Sequence, residues 1–156
     1  MSGLILTPYA PEDLPAALEL FYDTVHRVCR ADYDEARLAA WAPDLPDRER
    51  WQESLLAHDS LVARMDGQIV GFGDLDPSGY LDRLYVRWDR QRQGIATALC
   101  DALEARAEEM GCSLVTTHAS ITARPFFAKR AYVLVCPQQV ERSGQWLTNY
   151  VMEKPL

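Results

Sequence analysis

Residues 89–103, DRQRQGIATALCDAL, constrain the fold more than any other stretch of this chain. A polar turn follows the strand-like run LDRLYV and passes through Gly94 directly into a helical pattern, in which apolar residues recur at Ile95, Ala98, Leu99, Ala102 and Leu103. No side chain suited to capping stands at Gly94, so about four N–H groups at the helix start lack a partner. Such a bare turn is an anion site that suits a diphosphate, and Arg90 and Arg92 add positive charge. The alternative is an ordinary strand-to-helix turn that carries arginines.

Hydrophobic periodicity along the rest of the chain predicts the other elements. GLILTP is a strand, a helix follows from Leu14, and the helical runs DEARLAAW and PDRERWQESLLAHD are separated by prolines. Asp66-Gly67 predicts a tight hairpin turn, Gly111 ends the helix that began after Gly94, and two closing strands flank Ser143-Gly144. The order is β-α-α-β-β-β-α-β-α-β-β. It predicts one α/β (α+β) domain over residues 1–156, with a mixed central sheet of about seven strands flanked by helices.

Composition narrows the class of protein. The formal net charge of −7 disfavours nucleic-acid binding, because phosphate backbones are repelled. No apolar run reaches the roughly 20 residues of a membrane span, and the first residues lack the pattern of a signal peptide, so we expect a cytoplasmic protein. The scattered cysteines and histidines predict neither a disulfide framework nor a metal site; they are Cys29, Cys100, Cys112, Cys136, His26, His58 and His118.

The turn before the long helix excludes two common phosphate loops and resembles a third. It has no Gly-Lys-Ser/Thr and only one of the glycines of a dinucleotide fingerprint. Gln91-x-x-Gly94-x-Ala96 resembles the Gln/Arg-x-x-Gly-x-Gly/Ala signature of the GCN5-related N-acetyltransferases (GNAT), and ASITARPFFAKRAYVLV is similar to that family's second cofactor segment. SITARPFF and the ending LTNYVMEKPL further resemble a bacterial branch of small, single-domain members. The element order fits the GNAT acyl-CoA N-acyltransferase fold.

The resemblance implies acetyl-CoA as the cofactor and assigns residues to it. Leu84, Tyr85 and Val86 are expected to pair with the pantetheine arm as an added strand would. The diphosphate is expected on Gln91, Arg92, Gln93, Gly94, Ile95, Ala96 and Thr97. Ser120, Ala123, Phe126 and Phe127 are expected to line the rest of the cofactor site. Lys129 and Arg130 are within reach of phosphates in sequence, although a solvated helix face explains them equally well.

Acetyl transfer to an amine needs a proton acceptor, since an alkylammonium of pKa near 10.4 is rarely nucleophilic at neutral pH. Asp82 is the first candidate, because strand alternation places it on the same face as Leu84, with Tyr80 beside it. Asp74, on the preceding strand, is the second candidate base. Alternatively, Asp74 faces solvent and pairs with Arg83. His118 is the third. Each of the three also has an ordinary structural interpretation.

The sequence indicates less about the residue that protonates the leaving thiolate and about the site that binds the acceptor amine. Many family members carry a tyrosine at the position of Phe127, which has no proton to give; Ser120 and Tyr150 are possible substitutes. The acceptor, expected to be a small-molecule primary amine, would contact the aromatic residues of the first helices, which are Tyr22, His26, Tyr33 and Trp41. These aromatics also fit a closed core. An acyl-CoA-binding sensor, a protein or peptide N-acetyltransferase and a homodimer remain open alternatives.

Overall fold

The computed structural model describes residues 3–156 and contains a seven-stranded sheet in the order β1-β2-β3-β4-β5-β7-β6. The strands are β1 (Ile5–Pro8), β2 (Asp59–Met65), β3 (Gln68–Leu75), β4 (Tyr80–Val86), β5 (Leu114–Ser120), β6 (Val133–Arg142) and β7 (Gln145–Pro155). The helices are α1 (Leu14–Val28), α2 (Glu35–Trp41), α3 (Arg48–Ala57), α4 (Ile95–Glu109) and α5 (Arg124–Lys129). Single 3-10 turns cover Pro11–Asp13 and Cys29–Ala31.

The number of helices before β2 differs from the predicted order, which has two helical regions there. The structure has three, α1 to α3, because the two runs around Pro43 and Pro46 form separate helices. Asp34 and Asp47 cap α2 and α3 by accepting hydrogen bonds from the backbone N–H groups of Arg37 and Arg50. Both hairpin turns lie where predicted, with positive φ at Asp66-Gly67 and at Ser143-Gly144.

Helices cover both faces of the sheet and bury two main cores. On one face, α1 and α2 pack on the strands through residues such as Phe21, Val25, Leu38 and Phe72. On the other face, α4 and α5 enclose a core that includes Leu103 and Phe127. The predicted α+β class with a mixed sheet flanked by helices is therefore confirmed.

Glycines of β3 determine where α4 lies. A Cβ at Gly71 would stand 2.9 Å from Ile95 Cγ2, and one at Gly73 would stand 3.1 Å from Leu103 Cδ1. These two positions therefore admit the helix only because they carry no side chain. The first turn of α4 is brought close to the sheet in this way.

β4 and β5 are the only parallel pair recorded among the described strands, and they separate soon after they meet. Their pairing is confined to Tyr80 with Thr116 and Leu81 with Thr117. Beyond those pairs, β4 continues against β3 as far as Val86, while β5 continues against β7 as far as Ser120. The divergence opens a wedge between the ends of the two strands.

A buried ion-pair network ties α4 to the far end of the chain. Glu104 accepts hydrogen bonds from Arg130, Lys154 and Tyr132, with its oxygens 2.8 Å from Arg130 Nη2, Lys154 Nζ and Tyr132 Oη. Burial alone would raise the pKa of Glu104, but these three donors outweigh it and hold the pKa below its usual value. Arg130 is thus engaged by Glu104 and lies outside the lining of the larger cleft described below.

We expect Glu104→Gln to lower the free energy of unfolding by about 2 kcal/mol, because the partly buried Lys154 loses its counter-charge and the partly buried Arg130 keeps only that of the exposed Asp101. The folded-state pKa of Glu104 is depressed. Its contribution is therefore complete above the unfolded pKa of about 4.3 and is lost as the pH falls from there through the folded value. Urea unfolding at pH 7 and pH 4 measures this, with a smaller difference between variant and wild type at the lower pH. Asp101→Asn is the matched control, since the Asp101 partner of Arg130 is exposed and we expect a change within about 0.5 kcal/mol. Equal losses in the two variants would contradict the prediction.

Candidate active site

The turn between β4 and α4 presents bare backbone to the surface. Gly94 is the residue that caps α4, with φ +81° and ψ 7°, and no side chain caps the helix start. Arg92 also has a positive φ, of 60°. Gln91 closes the turn from within, because its side-chain amide donates to the Val86 carbonyl at 2.7 Å and the Arg87 carbonyl at 3.3 Å.

A cleft of about 790 Å³ runs from this turn along the wedge between β4 and β5. Twelve of the predicted cofactor residues line it: Leu84, Tyr85, Val86, Gln91, Arg92, Gly94, Ile95, Ala96, Thr97, Ser120, Ala123 and Phe126. Two predicted residues are placed elsewhere. Gln93 is exposed on the turn outside the lining, and Phe127 is buried against Phe126 and Tyr132 and borders a second cavity.

The cleft also has walls that the sequence patterns did not reveal. The end of α1 contributes Thr24 and Val28, the 3-10 turn after it contributes Cys29, and the region around α5 contributes Thr122 and Pro125. Lys129, which the sequence placed within reach of phosphates, also lines the cleft. Thr24 Oγ1 donates to the Val86 carbonyl at 3.0 Å. No local signal marks Thr24, Val28 and Cys29, because the packing of α1 across the end of β4 brings them to the cleft. Arg90, Arg92 and Lys129 make the lining cationic in a chain of net negative charge.

A second cavity, of about 320 Å³, adjoins the cleft. The cleft and the second cavity share five lining residues, which are Trp41, Leu84, Tyr85, Ser120 and Ala123. The second cavity extends from there over β5 and β7, where His118 and Asn149 line it, and to Asp82 and Tyr80 of β4. A molecule in the cleft and a molecule in the second cavity would therefore meet at one place.

Asp82 occupies a β-bulge, which changes the face that alternation predicts for it. Asp74 pairs with Arg83, and Leu75 pairs with Leu81, so Asp82 is the extra residue of β4. Leu81 and Leu84, rather than Asp82 and Leu84, pack together in the core beside α4. The Asp82 carboxylate lies on the opposite side, where Asp82, Asp74 and His58 have side-chain O and N atoms within 4.8 Å of one another.

Charge balance in this group comes from Arg83. Its Nη1 lies 2.6 Å from Asp74 Oδ2 and 3.4 Å from Asp82 Oδ2. Asp74 is fully buried and lies outside the linings of both cavities. It pairs with Arg83, as its alternative role predicts, but it does not face solvent as that prediction expected. Burial raises the pKa of Asp82, and Arg83 opposes that shift.

Tyr80 and His118 stand together beside Asp82. Their rings meet edge to face with centroids 5.0 Å apart. Burial raises the pKa of Tyr80 to about 12, so its hydroxyl remains protonated at neutral pH. Burial lowers the pKa of His118, and the charge of Asp82 opposes that shift, so the imidazole is predominantly neutral at pH 7. Both side chains line the second cavity.

The four aromatic residues predicted for the acceptor divide into two pairs. Tyr33 and Trp41 line the second cavity. Tyr22 and His26 lie outside it: Tyr22 Oη donates to Asp44 at 2.8 Å, and His26 Nε2 lies 2.7 Å from the Ala42 carbonyl. Helical periodicity does not distinguish these faces, because the contacts of α1 with the segment after α2 decide which way each ring points.

The two candidate proton donors, Ser120 and Tyr150, differ in their position relative to the two cavities. Ser120 lies where the two cavities meet, and its Oγ accepts a hydrogen bond from the Ala123 N–H at 3.0 Å. Tyr150 is outside both linings and stacks beneath the Arg124 guanidinium, 4.3 Å from the ring centroid. Ser120 is therefore the better placed of the two predicted substitutes.

Asn149 is a lining residue of the second cavity that sequence patterns missed. It pairs with Ser120 across β5 and β7, and its buried Oδ1 has no hydrogen-bond partner. A buried carbonyl without a donor is costly, at about 1–3 kcal/mol, so this atom favours a ligand with N–H groups.

Comparison with known proteins identifies the class. A family model described as an acetyltransferase (GNAT) domain matches residues 29–154. The chain therefore belongs to the GNAT acetyltransferase family, and it is an acetyl-CoA-dependent N-acetyltransferase, as the sequence resemblance implies. Within residues 3–156, none of the helices combines the length and apolar character needed to cross a membrane.

Individual relatives are similar to this chain over nearly its full length. The uncharacterized N-acetyltransferase YafP of Escherichia coli (strain K12) is 33% identical over 152 residues, which cover 97% of this chain and 96% of YafP. A GCN5-related N-acetyltransferase from Rhodopseudomonas palustris has a TM-score of 0.97 at 36% identity, covering 100% of this chain and 98% of that chain. The PaiA N-acetyltransferase from Thermoplasma acidophilum, solved in complex with coenzyme A, has a TM-score of 0.82 at 18% identity and full coverage of both chains.

Proposed function

We propose that the chain transfers the acetyl group of acetyl-CoA directly to the primary amine of a small molecule held in the second cavity, with Asp82 as the proton acceptor. The observation that carries this proposal is the junction of the two cavities at Trp41, Leu84, Tyr85, Ser120 and Ala123. Two reactants held there need no separate diffusion step, which favours direct transfer.

The lining of the larger cleft fits an acyl-CoA. Its turn offers uncapped N–H groups at the start of a 15-residue helix, together with Arg90, Arg92 and Lys129, which suit a diphosphate. The wedge beyond the β4–β5 pairs offers an extended backbone to the pantetheine amides. The Val86 carbonyl already accepts hydrogen bonds from Thr24 and Gln91, so it is less available to the pantetheine amides than predicted. Pairing with the pantetheine therefore involves Leu84 and Tyr85.

Acetyl-CoA supplies an activated acetyl thioester, and the remaining chemistry falls to residues of the second cavity. Asp82 takes the proton of the bound ammonium, directly or through water, and its raised pKa brings it closer to the range of an effective base. Asn149 Oδ1 accepts an N–H of the amine. Ser120 Oγ is a hydroxyl at the junction and donates a hydrogen bond to the leaving thiolate, which Phe127 cannot do.

A covalent route through a cysteine is disfavoured. Burial raises the pKa of Cys29, which lines the cleft, to about 11, and that of Cys100 to about 12. Both thiols are protonated at neutral pH, whereas a nucleophilic cysteine needs a lowered pKa. The cavity volume of about 320 Å³ favours a small acceptor over a peptide.

The test combines isothermal titration of coenzyme A with a thiol-release assay on a panel of primary amines. We expect coenzyme A to bind, and thiol to be released with at least one small amine but not with peptides of unrelated sequence. The acyl-CoA sensor is the second candidate, and it is favoured by Phe127 in place of a proton donor. Tight coenzyme A binding without thiol release for any amine would support the sensor and overturn the transferase reaction proposed here.

A further inference from the structure

Arg83 lies between two carboxylates that differ in burial. Its Nη1 is 2.6 Å from Asp74 Oδ2 and 3.4 Å from Asp82 Oδ2. The Asp74 side chain is fully buried, whereas that of Asp82 is about one-third exposed (32%) and faces the acceptor cavity. The guanidinium is thus engaged by the deeper carboxylate at short range and by the outer one only weakly.

The α3 region holds Arg83 in this position. Ser54 Oγ lies 3.1 Å from both Nη1 and Nη2, and the guanidinium stacks on the ring of Trp51 with its Cζ 4.5 Å from the centroid. His58, which follows α3, places Nδ1 2.8 Å from the same Asp74 Oδ2 that Arg83 binds. Two cationic or donor groups therefore converge on one oxygen of Asp74, and the other oxygen, Oδ1, has no partner.

The consequence for Asp82 follows from geometry. An arginine that turns fully onto a carboxylate forms two parallel hydrogen bonds, the strongest form of that pair, and so makes the carboxylate a poor proton acceptor. Asp74 competes for the same guanidinium across 2.6 Å. We propose that Asp74 is a positioning residue that holds Arg83 away from Asp82 and thereby keeps the Asp82 carboxylate free to accept a proton.

This inference rests on the proposed role of Asp82 as the base, and it changes the role of Asp74 from a candidate base to a positioning residue. Other titratable or charged groups that act on Asp82 or its neighbours are Asp76 of the β3–β4 turn, Tyr80 of β4, His118 of β5 and Arg142 of β6. Asp76 does not compete for Arg83, because its carboxylate accepts hydrogen bonds from the N–H and hydroxyl of Ser78 and from the N–H of Tyr80. Asp74 is the carboxylate that both faces Asp82 and binds its neighbouring arginine.

The direct test measures the pKa of Asp82 by ¹³C NMR titration of its side-chain carboxyl in the cofactor-free protein, so it needs no turnover. We expect Asp74→Asn to lower the pKa of Asp82 by about one unit or more, because Arg83 turns onto it and a nearby negative charge is lost. In an Arg83→Met background, the same substitution removes only the negative charge, so we expect less than half of that shift. Equal shifts in the two backgrounds would show that Asp74 acts through its charge alone and would overturn the positioning role.

A matched control and a second variant keep the test decisive. Asp59→Asn makes the same chemical change at an exposed carboxylate that pairs with Arg106, and we expect no shift at Asp82. If Asp74→Asn fails to fold, His58→Gln still tests the idea, because it leaves Asp74 charged and more fully available to Arg83. Loss of the His58 charge by itself raises the pKa of Asp82, so the same substitution is also made in the Arg83→Met background. We expect a larger rise when Arg83 is present, and equal rises in the two backgrounds would overturn the proposal.

Activity gives a separate readout. For Asp74→Asn we expect the acid limb of the pH profile of kcat/KM to move to lower pH and kcat at pH 7 to fall about tenfold, with unchanged affinity for coenzyme A. A shifted pKa of Asp82 without any change in the activity profile would leave the positioning role standing and would instead remove Asp82 as the base. The failures of the two proposals are therefore distinguishable.

Discussion

Gly94→Glu abolishes cofactor binding: we expect the affinity for coenzyme A to fall by at least about 100-fold. The glutamate side chain would stand at the uncapped start of α4, in the cleft proposed for the diphosphate, and would occupy space that the glycine leaves open. Its carboxylate would also repel the two charges of the diphosphate. A 100-fold loss of affinity corresponds to about 2.7 kcal/mol of binding free energy, which is less than the repulsion expected between like charges a few ångströms apart in a partly buried site. Isothermal titration with coenzyme A measures the change.

Backbone strain has to be separated from this effect. Gly94 has φ +81°, which costs a non-glycine residue about 1 kcal/mol. Gly111→Glu is the matched control, because Gly111 has φ +82°, follows the other end of the same helix, and a Cβ there would have nothing within 4 Å. We expect the control to lose similar stability and to keep its affinity. Equal affinities for the Gly94→Glu and Gly111→Glu variants would refute the diphosphate assignment of the turn.

Asp82→Asn removes most of the turnover at neutral pH. On the order of one alkylamine molecule in a thousand is unprotonated at pH 7, a penalty of about 4 kcal/mol that a positioned base relieves. Asparagine keeps the shape of the side chain and cannot accept the proton, so we expect kcat at pH 7 to fall by about 10²- to 10⁴-fold. The deficit should shrink as the pH approaches the pKa of the amine, because free amine then binds directly.

The measurement is a pH–rate profile from pH 4 to pH 10, with coenzyme A affinity determined alongside. For the wild type we expect an acid limb at the raised pKa of Asp82, below which the carboxylate is protonated and kcat/KM declines. Asp59→Asn is again the control and should follow the wild-type profile. Parallel profiles for Asp82→Asn and wild type, differing by a constant factor, would show that Asp82 is not the base.

Sequence patterns located the lining of the cleft proposed for the cofactor better than that of the cavity proposed for the acceptor, and the reason is physical. The turn through Gly94 is a local feature, since a missing cap and a single glycine are visible within a few residues. Asp82 remains a candidate base, but the sheet face predicted for it from strand alternation was wrong, because a bulge depends on the register between β3 and β4. Tyr22 and His26 were expected at the acceptor, and hydrogen bonds with residues 42–44 hold them outside the second cavity.

Local sequence determined the strand and helix order apart from one extra helix, the two hairpin turns, the uncapped start of α4 and the family, because each depends on neighbouring residues or on a short signature. Only the tertiary structure decided that Arg83 binds Asp74 more closely than Asp82, that Arg130 pairs with Glu104, and that Asn149 lines the second cavity. Those outcomes depend on distances between residues far apart in the chain, and such distances are fixed only when the sheet pairs and the helices pack on it.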